Sequence, residues 1–427
     1  MRIAIIGSGI SGLVAAYKLC QQHSVTVFEA NDYIGGHTNT VDVQLDRSSY
    51  SVDTGFIVFN DRTYPNFLQL LDELQVESSP TIMSFSVRAD AKNLEYNGSS
   101  LSGLFCQRRN LLRPSFYRMI SDILRFNRES TEILDDDNDL MTVNDYLAKY
   151  GYSQQFANHY LLPMGAAIWS CPTTTFGLFP IRFIVEFYKN HGLLSLKDRP
   201  TWRVIKGGSI EYVKALTQTF RDQIKLNTPV QNVKRSGHGV DVVTSNNVEA
   251  FDEVVFACHS DQALKILADD ATPAEQEILG AIRYEPNVAV LHTDESVLPQ
   301  RKSAWASWNY HVPAGPAPKS TLTYNMNILQ HITSDHTFCV TLNEEQSVDP
   351  RKVLGTFHYS HPVFTVERSA AQQRHGEMIR QNRTSFCGAY WGNGFHEDGV
   401  NSGLAVANAF RVSDTNSGGS DGEHVHV

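Results

Sequence analysis

The chain has 427 residues, 41% of them hydrophobic, which is enough to bury a large core and too many for one compact unit of usual size, so two domains are expected. A formal net charge of −10 and a pI near 5.9 argue against a general nucleic-acid-binding surface, because a phosphate polymer would be repelled by most of the molecule. Six cysteines without a CxxC pair or a tight Cys/His grouping argue against a disulfide framework and a metal centre. A strand beginning at Arg2 and the lack of an uncharged run long enough to span a bilayer point to a soluble, cytoplasmic protein.

The first predicted element is the short apolar strand Arg2 to Ile6. Gly7-Ser8-Gly9-Ile10-Ser11-Gly12 follows, with a helix expected from about Ser11 to Gln21. In this pattern Gly7 permits the tight turn, Gly9 lets backbone approach a pyrophosphate, and Gly12 lets the helix pack closely on the strand. The helix directs its N-terminal amides and the positive end of its dipole at the phosphates. A second strand, Val25 to Glu29, ends in an acid 20 residues after Gly9, where a carboxylate can accept hydrogen bonds from an adenosine ribose. Strand, glycines, helix, strand and acid in this order read as a dinucleotide site.

A second glycine turn comes within about ten residues of the acid, as Ala30-Asn31-Asp32-Tyr33-Ile34-Gly35-Gly36-His37-Thr38. Asp53-Thr54-Gly55 then follows the strand around Ser51-Val52. Farther along, Arg108 to Glu129 reads as one helical stretch, with Leu111, Leu112, Phe116, Met119, Ile120, Ile123 and Leu124 set among six arginines. Such a basic amphipathic helix suits either a core-facing helix with solvated arginines or peripheral contact with an anionic membrane surface through Arg108 to Arg128. The acidic run Asp135 to Asp139 reads as a solvated turn, and Thr142 to Asp145 as the cap of the next helix.

Ile205-Lys206-Gly207-Gly208-Ser209 opens another helical pattern through Tyr212, Val213, Leu216 and Phe220. It leads into strands around Val230 to Val233, Gly239 to Thr244 and Asp252 to Ala257. A helix is expected over Pro273 to Arg283, and strands such as Val288 to His292 build a sheet floor. Near the end, Ser385 to Asn408 combines a strand, a glycine-rich turn through Trp391 and Gly394, and a helix rich in small residues at Gly399, Ser402, Gly403 and Ala405. From Val412 the composition predicts a disordered tail, in which His424 and His426 read as free in preference to the alternative of metal ligands.

Taken together, the two early glycine turns, the Asp53-Thr54-Gly55 element, the block from Ile205 to Ala257 and the segment Ser385 to Asn408 resemble the flavin-containing amine oxidase superfamily, which includes amine oxidases, protoporphyrinogen oxidase and phytoene desaturases. The stretches Ala306 to Tyr310, Thr323 to Asn327, Val340 to Asn343 and Tyr359 to Phe364 look most like a bacterial group of predicted amine-oxidase-type flavoproteins. The resemblance implies an α/β fold: a Rossmann-like FAD-binding domain built from discontinuous segments 1–80, 205–260 and 385–411. Segments 81–204 and 261–384 would form an α+β substrate domain with a mixed or antiparallel sheet. It also implies noncovalent FAD, held by Gly7, Ser8, Gly9, Ser11, Gly12, Glu29, Ala30, Gly36, His37, Thr38, Gly55, Val230, Gly394, Gly399, Val400 and Ser402. His37 stands where the family usually has an arginine, so the backbone part of that contact remains and its ionic part weakens.

Flavin carries its own reactive atom, N5, so the implied reaction is hydride transfer from a substrate C–H bond, with the protein mainly positioning the reactants. Trp391, just ahead of the turn expected at the flavin, is the leading lining residue. Many amine oxidases place a lysine near N5. Asn287 to Thr293 holds none, and His292 is the candidate there to take a proton or orient a water. The expected reaction is dehydrogenation or desaturation of a largely apolar small molecule. Amine oxidation of a small amine, a non-redox mutase or isomerase reaction, and a binding protein that keeps flavin as a structural element are the alternatives.

Overall fold

The computed structural model describes residues 1–135, 141–195, 197–315 and 321–417. The chain divides into two compact units. One is formed by Met1–Thr38, Tyr212–Ile282 and Glu367–Val427, the other by Asn39–Glu211 and Arg283–Val366.

The first unit is organised by a five-stranded parallel sheet in the order Ile224–Lys225, Ser24–Phe28, Arg2–Ile6, Glu253–Phe256, Thr384–Phe386. Its central strands are buried on both faces, which is why Ile3 to Ile6 and Val254 to Phe256 read as unbroken apolar runs without alternation. Two helices cross closely on this sheet, Ile10–Leu19 and the C-terminal His396–Ser417. A Cβ at Gly399 would lie 2.6 Å from Ile10 Cγ2, and one at Gly403 2.5 Å from the Ser11 carbonyl oxygen, so these two glycines, one helical turn apart, make the crossing possible.

A three-stranded antiparallel sheet, Val230–Arg235, Val240–Thr244 and Val248–Phe251, completes the unit. Arg235 on its first strand is buried between two acids from the following helical segments, its Nε donating to Asp270 (2.6 Å) and its Nη1 to Glu275 (2.5 Å). This pairing binds residues 261–282 to the parallel-sheet unit, whereas the sequence pattern had put 261–384 in the other domain.

The second unit is built on a seven-stranded mixed sheet in the order Val353–Pro362, Tyr284–His292, Cys339–Leu342, Thr321–Asn325, Trp308–Val312, Phe85–Ala89, Leu94–Asn97. Only the pairing of Trp308–Val312 with Phe85–Ala89 is parallel. The hairpin Thr40–Leu45 with Ser48–Asp53 belongs here and not with the first unit as expected, because Val43 and Val52 join the same buried cluster as Ala289, Leu291, Val340 and Leu342. Val204 and Ile57 fill the same core, which draws in the stretch before Ser209 as well.

The predicted single helix over Arg108 to Glu129 is two elements: a 3₁₀ segment Arg108–Leu112 and an α-helix Pro114–Glu129. Pro114 takes the first helical position and forces Arg113 into extended backbone (φ −101°, ψ 105°), which breaks the run. Phe116, Met119 and Phe126 are turned into the core of the unit, so the α-helix does not present its whole apolar side outward. Thr142 and Asp145 form the expected capping box, each side chain accepting from the other's backbone N–H at 3.1 Å. The C-terminal helix continues to Ser417, past the Val412 at which a tail was expected. Asp136 to Asp139, His424 and His426 lie outside the described residues. Among the described residues, no helix is long and apolar enough to cross a membrane.

Candidate cofactor site

The first unit gathers three sequence-distant turns. Each of the three early glycines has a different surrounding. Gly7 has φ +108°, and a Cβ there would lie 2.8 Å from the Ala257 carbonyl oxygen. A Cβ at Gly12 would lie 2.3 Å from the Gly7 carbonyl oxygen, which is the close helix–strand packing that the motif requires. A Cβ at Gly9 would meet nothing within 4 Å. Gly9 is also the N-cap of helix Ile10–Leu19 and supplies no side-chain cap, so the first-turn amides and the positive end of the dipole face the space beside Gly9. This cradle fits the diphosphate of a dinucleotide, which needs close backbone approach and unspent N–H donors.

The second turn is fastened to the first. Gly9 and Gly35 form a parallel backbone bridge, and a Cβ on Gly36, whose φ is +61°, would press within 3.1 Å of Gly9 Cα. Glu29, buried at the end of its strand, accepts from the Ser8 N–H (2.9 Å), the Ser8 hydroxyl (2.5 Å) and the Asn31 N–H (2.9 Å). Ser8 Oγ in turn accepts from the Gly35 N–H at 3.2 Å. One acid and one hydroxyl thus lock both glycine turns, a role for Ser8 that the motif alone does not reveal. Ala30 is exposed beside this lock, and His37 is half-buried.

Thr38 is turned fully inward. Its hydroxyl lies 2.5 Å from the Tyr212 hydroxyl, which lies 2.7 Å from His396 Nε2 at the start of the C-terminal helix. Burial, with His37 nearby, holds His396 well below the ordinary histidine range, so the ring is neutral. Neither Tyr212 nor His396 was singled out from sequence. The available signal was a polar residue at a core position of each helical pattern.

The third turn, ahead of the C-terminal helix, is held from behind by Arg368 and Gln372. Arg368 Nη2 donates to the Gly392 carbonyl (2.8 Å), and Gln372 Nε2 donates to the Tyr390 carbonyl (2.8 Å). Trp391 stacks on His375 with ring centroids 4.3 Å apart, and its buried indole N–H has no hydrogen-bond partner among the described residues. Gly394 is exposed with φ +87°. The space at Gly399 is filled by helix Ile10–Leu19 rather than left for a ligand. Ser402 Oγ is spent on the Gly388 N–H at 2.9 Å, and Val400 is buried. These three therefore shape the helix start from within. Val230 begins the antiparallel sheet, half-buried, at a register irregularity.

Two expectations fall in the second unit. Asp53, two residues ahead of Gly55, uses its carboxylate within the chain. It accepts from the Ser209 N–H (2.9 Å), Ser209 Oγ (2.8 Å), Thr40 Oγ1 (2.5 Å) and Gln330 Nε2 (2.9 Å), closing the amide end of helix Ile210–Thr217. Burial pushes its carboxyl up to about 6 against these donors. Gly55 lies half-buried just after it. An open cavity of about 510 Å³ beside this turn is lined by Tyr50, Ser51, Val204, Gly208, Gln330 and Ile332, but the amides next to it are already used.

His292 is fully buried. Its Nε2 hydrogen-bonds Thr341 Oγ1 (2.7 Å), and its Nδ1 accepts from the Asp294 N–H (2.9 Å). Burial lowers it to about 4. With both ring nitrogens engaged inside the sheet, His292 is a packing residue, and the proton-handling role expected of it is not supported.

Comparison with known proteins agrees with this geometry. The family model for flavin containing amine oxidoreductases matches residues 10–325. The structure of cyclohexylamine oxidase from Brevibacterium oxydans IH-35A superimposes with a TM-score of 0.69 over 97% of this chain and 99% of that one, at 16% identity, and so shares the fold. Sequence relatives align over short stretches. An Arabidopsis thaliana protein named "Probable flavin-containing monooxygenase 1" is 41% identical over 81 residues, 17% of this chain and 15% of the relative. The 4,4'-diapophytoene desaturase (4,4'-diaponeurosporene-forming) of Staphylococcus aureus (strain Newman) is 43% identical over 56 residues, 13% and 10% of the two chains. With its family model matched over most of its length and its three glycine turns drawn into one unit, the chain belongs to the flavin containing amine oxidoreductase family, a class of flavin-dependent oxidoreductases.

Proposed function

We propose that the protein binds FAD noncovalently and dehydrogenates or desaturates a largely apolar small molecule. The observation that carries this reading is the uncapped amide end of helix Ile10–Leu19, facing the one early glycine whose Cβ position is empty. In this reading the main chains of Gly9, Ser11, Gly12 and Gly36, with His37, hold the diphosphate. Glu29 and Ala30 receive the ribose, the main chain of Val230 borders the adenine, and the turn at Gly394 with Trp391 borders the ring system. Bound flavin supplies a two-electron acceptor. The chain's own residues bind, orient and exclude water.

Noncovalent attachment is supported at Cys387, the cysteine of the C-terminal motif. It is buried, and burial pushes its thiol up to about 12, so it offers no thiolate for a bond to the cofactor. An apolar substrate is supported by the half-buried Met83, Trp308, Tyr324, Ile332 and Phe357, which pack against the core of the second unit. The strand Tyr284–His292 carries no lysine, which sets the chain apart from the amine-oxidising pattern.

The test is to purify the protein, release its chromophore by acid, identify it, and follow anaerobic bleaching against amines, acyl lipids and isoprenoids. Released FAD and bleaching by an acyl or isoprenoid compound alone are expected. A colourless protein that takes up no added FAD overturns the cofactor assignment. Bleaching by small amines alone overturns the substrate class. A flavin that stays oxidised while substrate is rearranged overturns the redox reading.

A further inference from the structure

Exposed large apolar side chains are concentrated in one short stretch of the second unit: Leu101 (77% exposed), Leu111 (48%), Leu112 (87%), Tyr117 (46%) and Leu124 (49%). They are joined locally. Tyr117 donates its hydroxyl to the Leu111 carbonyl at 3.1 Å and packs on Phe105, which closes the short helix begun by Leu101. Tyr117 and Leu124 are seven residues apart on Pro114–Glu129, hence on one side of that helix, opposite the buried Phe116, Met119 and Phe126. Burial of the helix's inner side thus leaves a separate outward apolar strip.

Charge in the same stretch opposes that of the molecule. Residues 101–129 contain six arginines and two acids, Asp122 and Glu129, in a chain whose formal charge is −10. Asp122 is buried and already paired with Arg118 and Arg125, and Glu129 is paired with Arg128. Arg108 and Arg109 stand exposed directly before Leu111 and Leu112. Protruding leucines flanked by cations on an otherwise acidic protein match an anionic bilayer surface, where the leucines enter the acyl boundary and the guanidinium groups meet lipid phosphates. No described helix can span a membrane, so contact of this kind is peripheral.

We infer that the strip formed by Leu101, Leu111, Leu112, Tyr117 and Leu124, with Arg108 and Arg109, docks the protein on anionic lipid bilayers. The inference is independent of the flavin assignment and of the substrate.

Sedimentation of the full-length protein with vesicles tests it, using phosphatidylcholine alone and an equimolar mixture of phosphatidylcholine and phosphatidylglycerol. Binding to the mixed vesicles, little binding to the neutral ones, and release by high salt are expected. The double variant L111S/L112S is expected to bind at least about tenfold more weakly, because two leucines no longer enter the bilayer. R108E should weaken binding by about fivefold or more and flatten the salt dependence. Hydrogen exchange on the unmodified protein, with slowed exchange of residues 101–124 on adding mixed vesicles, reads the same contact without relying on the variants folding. Equal binding to both vesicle types, unchanged binding by L111S/L112S, or protection of residues 101–124 in a protein dimer without lipid overturns the proposal.

Discussion

Two turns in this chain share a plan, a strand running into glycines and then a helix, yet they end in opposite states. At Gly7-Ser8-Gly9 the helix Ile10–Leu19 begins without a side-chain cap and Gly9 faces empty space. At Gly207-Gly208-Ser209 the helix Ile210–Thr217 begins against a buried carboxylate, that of Asp53, which takes up the donors there. A helix N-terminus attracts anions in either case. In the proposed reading the first receives an anion from outside, whereas the second is satisfied by one from the chain itself. What separates the two turns is a residue more than 150 positions away.

The largest effects should come from reversing these states. Gly12→Val drives a side chain into the Gly7 carbonyl, and should cost about 3 kcal/mol or prevent folding, measured by urea unfolding. Asp53→Ala leaves the donors of Ser209, Thr40 and Gln330 without their acceptor and uncaps the helix, an expected loss of about 3 kcal/mol by the same measurement. If that variant unfolds at the wild-type urea concentration, Asp53 is not the internal anion of the second turn.

The same acid makes a pH test. Its folded value is raised to about 6, above the ordinary carboxylate range, so its contribution to stability is complete below that range and is lost as pH rises through 6. Asp53→Asn cannot titrate. The stability of the wild type relative to this variant should fall by about 2.5 kcal/mol from pH 4 to pH 7, and a flat difference would show that Asp53 titrates normally.

At the first turn, Gly9→Ala needs no strained backbone, since φ is −68°, and its methyl group enters open space. Thermal stability should stay within about 0.5 kcal/mol, while FAD affinity falls at least about tenfold, or 1.4 kcal/mol. Retained affinity would remove Gly9 from the diphosphate cradle. The smallest effect is expected at His292→Asn: a loss of about 1 kcal/mol from its two hydrogen bonds, with the rate of flavin reduction unchanged in stopped-flow traces. A large fall in that rate would restore His292 to the chemistry.

Much of the first unit was legible because its signals are local. The apolar runs at Ile3 to Ile6 and Val254 to Phe256, the spacing of Gly7, Gly9 and Gly12, and the acid at Glu29 each report a backbone requirement within a few residues. The division into units was less legible, since Val43 and Val52 choose their core by packing with Leu291 and Val340, some 240 residues later or more. Local pattern also misread what small residues are for. Gly399 and Gly403 suit close approach by a cofactor or by another helix, and only the position of Ile10 and Ser11 decides for the helix. His292 was misread for a related reason: a polar residue in an apolar strand looks reactive until its partner, Thr341, is brought beside it.

The crossing of the last helix over the first has a consequence for biosynthesis. Gly403 must reach Ser11 before the two helices can cross, so all the residues between them have to leave the ribosome first. At about 5–20 residues per second, helix Ile10–Leu19 waits tens of seconds for this partner. A message cut short before His396 would leave bare the side of helix Ile10–Leu19 that Gly399 and Gly403 cover, however well the second unit had folded.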